Sequence, residues 1–488
     1  MNRKSFFLAF AGWLALWAAP LFSQPAVAVG PTPQLKAWEG LKYGMFIHFG
    51  MSTFTGHEFG RIEAASTVYA PAQPDPAQWI DIARKSGMKY AVLTVKHHYG
   101  HALWPSAVSD YTVATSSNKT DVVRLFVDEC RKKGVEPGFY YSLGWDSWHM
   151  PKMTPSVYER FVLDQLRELL TQYGPVTMLW FDIPWDMGID MAGILARLYY
   201  HCKALQPDCL VLLNQGFVDG CGVESVRPSW FHQIMSEWPV PLWPKDIING
   251  EKTLPPPSGH NPRINIDRKS FYLPMEVCDS LGQWRWFWGE KDDPRPARQM
   301  FELYRRAVGR NANLLLNAGP DKTGRIPEDF ARRFLEIADL IAHPETVEDS
   351  LLVGRPATAS DVRKEKDLAC GPGMAVDMDI TEESGTRWAT GDGVKTAWLE
   401  VDLGGEKSFS RATLSEYLDA VRAFEIQVPD GRGGWKAVYK GGAIGGYGLD
   451  VSFRPVRARK VRLAITDSTG APSIWDFALY KSARKPKA

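Results

Sequence analysis

The 488-residue chain has little cysteine, almost no net charge and, past its first 28 residues, no long apolar run. Each scarcity excludes something. Six cysteines with no CxxC pair make neither a disulfide-dense framework nor a zinc signature. The spacing of Cys202, Cys209 and Cys221 admits a bridge among them, but a core of this size does not need one. Lys and Arg number 57 against 56 Asp and Glu, so no electrostatic footprint exists for phosphate backbones, and nucleic acid is excluded as a partner. No GxGxxG follows the first apolar run, which counts against a dinucleotide-binding fold. The sequence asks for no metal and no cofactor. A chain that is 45% hydrophobic and 12% aromatic is also too apolar for disorder.

The leader is set apart. Arg3 and Lys4 precede the apolar run Phe6 to Leu16, and Ala26-Val27-Ala28 has the small-x-small pattern of a signal-peptidase site. Pro20 and the polar Ser23-Gln24 make this run short for a spanning helix. The expectation is an exported protein, secreted or periplasmic, without a membrane span once residues 1–28 are removed.

What is present is alternation. Near-continuous apolar runs occur at Gly44 to His48, Tyr90 to Lys96, Gly138 to Ser142, Val176 to Asp182, Leu210 to Asn214 and Ala312 to Asn317, with weaker signals at Ile247-Ile248 and Tyr272 to Val277. Such runs suit parallel strands covered on both faces. Helical patterns separate them, as at Asp121 to Lys133, which ends in cations and Gly134. Eight strands alternating with helices predict a (β/α)8 TIM-like barrel over residues 29–346. After that, short alternating runs such as Ala397 to Leu403, Phe424 to Val428 and Lys460 to Ile465 sit between Gly-Gly turns. They predict a smaller all-β sandwich over residues 347–482, followed by a basic tail at 483–488.

In a barrel the chemistry sits where strands end. Those ends read His48, His97-His98, Tyr140-Tyr141, Asp182, Asn214, Glu251, Glu276 and Asn317. Ten tryptophans, at 104, 145, 148, 185, 230, 238, 243, 284, 286 and 288, fall in the loops that follow. Aromatic rings beside carboxylates, amides and imidazoles suit sugar, whose C–H faces pack on rings while its hydroxyls want fixed polar partners. Some of these indoles simply fill space under loops. Asp182 closes an apolar strand, which suits a nucleophile that must approach one carbon; the competing role is a helix N-cap. Glycoside hydrolysis needs a second carboxyl group, and Glu251, Glu276, Glu237 and Asp186 are the candidates. Adjacent strand residues point to opposite faces, so His97 and His98 cannot share one metal ion without a bend in the chain. Hydrogen bonding to hydroxyl groups is the better reading of the pair.

Tyr43-Gly-Met-Phe-Ile-His-Phe-Gly50, Val92-Leu-Thr-Val-Lys-His-His98, Leu103-Trp-Pro-Ser106, Gly138-Phe-Tyr-Tyr-Ser142, Tyr173-Gly-Pro-Val176, Leu179-Trp-Phe-Asp182 and Asn313-Leu-Leu-Leu-Asn317 resemble, in order, the α-L-fucosidases of glycoside hydrolase family 29. Thr53 to Gly60 and Pro274 to Cys278 lean towards the branch that cleaves α-1,3/1,4-linked fucose. The resemblance implies an exo-acting, retaining double displacement on fucosylated oligosaccharides or glycoconjugates. It puts Asp182 at the nucleophile position and His48, Glu58, His97, His98, Trp104 and Tyr140 around the fucose. The acid/base does not carry over by motif; Glu251 is the choice, with Glu276 and Trp288 as substrate-binding candidates. Tyr99 and Ile183 stand where the family has aspartate and glycine. The C-terminal part resembles galactose-binding-like modules. The alternatives are a glycosidase for another 6-deoxy or galacto-configured sugar, and a non-catalytic carbohydrate-binding protein.

Overall fold

The computed structural model describes residues 30–481 except 61–62, 184–190, 215–243, 256–257, 267–268, 283–284, 291, 365–369, 378–386, 418 and 446–447. The expected leader and tail, together with Trp185, Asp186, Cys221, Trp230, Glu237, Trp238, Trp243 and Trp284, lie outside the described residues.

Eight parallel strands close into a barrel. They are β1 (Tyr43–Ile47), β2 (Tyr90–Lys96), β3 (Glu136–Ser142), β4 (Met178–Asp182), β5 (Leu210–Leu213), β6 (Ile247–Glu251), β9 (Met275–Ser280) and β10 (Ala312–Asn317). Their order around the ring is β1-β10-β9-β6-β5-β4-β3-β2. Both faces of each strand are covered, which is why the sequence runs are continuously apolar. In β1, for example, Met45 and Ile47 join the shell packed under the helices, while Phe46 turns into the barrel with Tyr90, Tyr140, Trp180 and Leu315.

The helices start and stop on local signals. The helix Val122–Lys133 is capped by Asp121, whose carboxylate accepts from the Arg124 N–H, and ends at Gly134 in the left-handed region. The 18-residue helix Pro155–Gln172 carries Glu168 and Gln165 inward. The last barrel helix spans Glu328–Ala342, and the first strand of the C-terminal part, β11, begins at Ala357.

Two expectations need correction. Tyr272 to Val277 is not one strand. Tyr272 ends an antiparallel hairpin formed by β7 (Arg263–Ile266) and β8 (Lys269–Tyr272), and Pro274, which has no N–H to give, separates it from β9. Gly404-Gly405 is not a turn between strands either. It lies inside the 20-residue strand β13 (Ala397–Glu416), where the register against β16 (Leu449–Ser468) shifts between Asp402 and Lys407, a bulge that bends the strand.

The C-terminal sheet runs, edge to edge, β12 (Trp388–Ala389), β17 (Ser473–Tyr480), β13, β16, β14 (Val421–Pro429) and β15 (Trp435–Gly441), with β11 (Ala357–Ala359) paired to β13. Its core, including Leu399, Val401, Phe409, Leu463 and Phe477, is separate from the barrel's. The two parts meet along the helix Ala297–Gly309: Gln299 donates to Ser415 Oγ at 3.2 Å, and Arg298 donates to the Glu348 carbonyl at 2.7 Å. Cys130, Cys202, Cys209, Cys278 and Cys370 are free buried thiols, so Cys202 and Cys209 are not bridged to each other. No helix among the described residues is long and apolar enough to cross a membrane.

Candidate active site

Strand ends gather at the barrel mouth, and Asp182 is the last residue of β4, 8% exposed. Its two oxygens are held differently. Oδ1 accepts from Asn214 Nδ2 and from the Ile183 N–H, both at 2.8 Å. Oδ2 accepts from the Tyr140 hydroxyl at 2.5 Å and lies 3.8 Å from His98 Nε2. Burial, with Asp182 beside it, pushes the Tyr140 hydroxyl far above its usual range, so that hydroxyl keeps its proton and donates. Ile183 adopts φ +48°, a left-handed conformation costly for a β-branched residue. The resembling family has glycine at this position. Here the backbone keeps a glycine-like shape with an isoleucine in it.

The histidines are neutral. Burial lowers His48 to about 3 and His98 to about 4, and holds His97 well below its ordinary value. Their tautomers follow from their partners. The Ser142 hydroxyl donates to the Gly144 carbonyl at 2.7 Å, so at 2.7 Å from His98 it accepts from Nδ1–H and leaves Nε2 unprotonated. Asn317 donates its amide N–H to the Trp286 carbonyl at 2.7 Å, so its Oδ1 accepts from His48 Nδ1–H at 2.7 Å. His48 and His98 thus each present a bare Nε2, an acceptor suited to a hydroxyl proton.

His97 and His98 are not splayed to opposite faces as strand geometry predicts. Strand β2 stops at Lys96, the Gly100 N–H closes a turn onto the His97 carbonyl, and the two rings lie 3.9 Å apart. Gly100 sits at φ +82°, and a Cβ there would stand 2.1 Å from Asp146 Oδ1. That carboxylate anchors the turn: burial pushes its pKa up, but Lys96 at 2.7 Å and His149 at 2.9 Å hold it far below the usual range. Ligand atoms of His97, His98 and Asp182 fall within 4.8 Å of one another. By distance the trio could hold an ion, and it could equally hold a hydroxyl-bearing ring; Asp182 already takes three hydrogen bonds.

An aromatic wall completes the mouth. Tyr140 stacks on His97 at 5.3 Å, Trp286 lies 5.1 Å from His48, and Phe287 sets its edge against both His48 and His97. Glu58 joins through the Phe287 N–H, 2.9 Å from its Oε1, and burial raises its pKa. Trp145 meets His98 edge-on at 5.4 Å. Glu251 ends β6, and its Oε2 accepts from Asn214 Nδ2 at 2.8 Å.

Three sequence candidates lie elsewhere. Glu276 is the second residue of β9, fully buried inside the barrel, and accepts from the Tyr90 hydroxyl at 2.7 Å and Trp180 Nε1 at 2.9 Å. Trp104 packs outside the barrel with its N–H on Glu168 at 2.8 Å. Trp288 lines a neighbouring cavity of about 430 Å³ with Thr53, Gly56, Arg285 and Lys322. Sequence reasoning marked Asn214 as a strand end without giving it a role, and passed over Ser142 and Asn249. Ser142 closes its own apolar run, so the strand-end rule could have found it.

Residues 56–343 match the family described as Alpha-L-fucosidase, and residues 374–463 match the family described as NedA-like, galactose-binding domain. The chain is similar to Alpha-L-fucosidase 1 of Arabidopsis thaliana, 27% identical over 462 residues, 92% of this chain and 87% of that protein. Among solved structures it is similar to that of SpGH29, with 25% identity and a TM-score of 0.50 over 94% of this chain and 100% of that one. It also shares the fold of a Ruminococcus gnavus GH29 fucosidase in complex with fucose, at 21% identity and a TM-score of 0.50 over 94% and 97% of the two chains.

Proposed function

The chain belongs to the α-L-fucosidase family of glycoside hydrolases, and on that premise we propose that it is a retaining, exo-acting α-L-fucosidase with Asp182 as nucleophile and Glu251 as acid/base. The observation that carries this reading is the shared amide. Asn214 Nδ2 gives one hydrogen bond to Asp182 Oδ1 and one to Glu251 Oε2, each 2.8 Å long. The two N–H bonds of an amide diverge by about 120°, so the two accepting oxygens stand roughly 5 Å apart. That places the two carboxyl groups near the separation of double displacement with retention, about 5 to 5.5 Å.

In this reading Asp182 attacks the anomeric carbon as Glu251 protonates the leaving oxygen, and the C–O bond of the leaving sugar breaks as a fucosyl ester forms. Glu251, now a carboxylate, takes a proton from water, whose oxygen displaces Asp182. The neutral imidazoles of His48, His97 and His98, with Glu58, accept from the sugar hydroxyls. The Thr53 to Gly60 and Pro274 to Cys278 segments support a preference for α-1,3/1,4-linked fucose. The leader-like residues 1–28 support action on fucosylated glycans outside the cell.

Incubation with an aryl α-L-fucoside, followed by NMR, tests the reading. Release of α-L-fucose as the first anomer is the expected result, and first release of the β anomer would sink it. A panel of aryl glycosides separates fucose from other 6-deoxy or galacto-configured sugars.

A further inference from the structure

Strand β5 ends between the strands that carry Asp182 and Glu251, and the residue that follows it, Asn214, is 3% exposed. Its backbone N–H is bonded to the Phe181 carbonyl at 2.8 Å, which fixes it beside Asp182. Its side chain uses every polar hydrogen it has: both Nδ2 hydrogens go to carboxylates, and Oδ1 accepts from Asn249 Nδ2 at 2.6 Å. Asn249 is itself buried and sits two residues before Glu251 on β6, on the same face of that strand. Asn249 therefore sets the orientation of the Asn214 amide. Turned over, the amide would aim its oxygen at two carboxylates.

We infer that Asn214 is the positioning residue of this site, a clamp that fixes the spacing of the two carboxyl groups and decides which oxygen of each one reacts. The inference rests on the roles proposed above for Asp182 and Glu251. Oδ1 of Asp182 is tied by two N–H donors, so Oδ2, which faces Tyr140 and His98, is the attacking atom. Nδ2 can only donate, so Glu251 Oε2 stays an acceptor in both half-reactions and the transferable proton sits on Oε1. One amide thus keeps the acid proton on the atom away from the nucleophile while holding both groups at working distance.

Asn214→Asp keeps the shape, removes both donors and adds a third carboxylate. Its kcat on an aryl α-L-fucoside should fall by about 100-fold to 1,000-fold, with KM changed less than about threefold. The acid limb of its kcat/KM profile should also move up by about one pH unit or more, because neighbouring like charges favour protonation. Asn249→Ala, which only frees the amide to turn, should lose roughly tenfold in kcat with the limb unmoved. Should Asn214→Asp fail to fold, Asn214→Ser, which retains one donor, should give an intermediate kcat loss at unchanged KM. The inference is overturned if a folded Asn214 variant keeps kcat within threefold of the parent, or if its loss lies in KM alone. The underlying reading has its own failure: hydrolysis that survives Asp182→Ala would remove Asp182 from the chemistry whatever Asn214 does.

Discussion

Among the carboxylates that face the inside of this barrel, Asp182 lies at the mouth and Glu276 nearer the N-terminal ends of the strands. Both terminate or interrupt apolar runs, and the sequence nominates both as site residues. Asp182 takes three donors and still presents Oδ2 towards His98. Glu276 has each oxygen on one donor, Tyr90 and Trp180, is 0% exposed, and is pushed by burial to about 7. The difference is position along the strand: last of five residues in β4 against second of six in β9. In a parallel barrel that position decides whether a carboxylate meets substrate or only the packed interior.

The sharpest way to break the comparison is to delete each carboxylate. Asp182→Ala should lower kcat on every fucoside by about 10⁴-fold or more while leaving the thermal midpoint near the parent's. Added azide should then restore turnover and give the azide of inverted configuration, which product NMR would detect. Glu276→Ala should do the reverse. It leaves a cavity and two buried donors without an acceptor, a loss of about 3 to 5 kcal/mol. Activity per folded molecule should stay within a few-fold, and calorimetry beside active-site titration would reveal a Glu276 variant that is stable but dead.

A gentler change sharpens the contrast. With Glu276 held at about 7 in the fold, against an ordinary carboxylate value of 4.5, the folded state keeps a proton that the unfolded chain releases between those limits. Its contribution is therefore full below pH 4.5 and is lost as pH rises through 7. Glu276→Gln should be close to neutral at pH 4.5 and stabilising by about 1 to 3 kcal/mol at pH 8. Parallel melting curves across that range would show the gap open, and a gap that stays constant with pH would contradict the assignment.

The smallest effect is expected beside Asp182. Ile183→Gly relieves the left-handed strain, about 1 to 2 kcal/mol, and gives up burial of a side chain only 6% exposed, roughly 2 kcal/mol. The two nearly cancel, so chemical denaturation should find a net change under about 1 kcal/mol. A loss above 3 kcal/mol would mean that Ile183 is a packing residue first.

Periodicity by itself determined six of the eight barrel strands and the helices between them, because strands buried on both faces must be apolar throughout and amphipathic helices must show a repeat near 3.6 residues. It also marked His48, Asp182, Asn214 and Glu251, since strand ends are legible wherever an apolar run stops at a polar residue. Glu276 misleads because the apolar run that nominates it stops at Val277, whereas β9 continues to Ser280, which leaves Glu276 in the strand's interior. What no one-dimensional pattern carries is which side chains meet. The bend after Lys96 that sets His97 against His98, the placing of Trp104 outside the barrel, and the single amide shared by Asp182 and Glu251 each depend on the closure of neighbouring strands. Hydrogen bonds are satisfied across strands that lie 32 and 37 residues apart in sequence, and only the closed barrel brings them within reach.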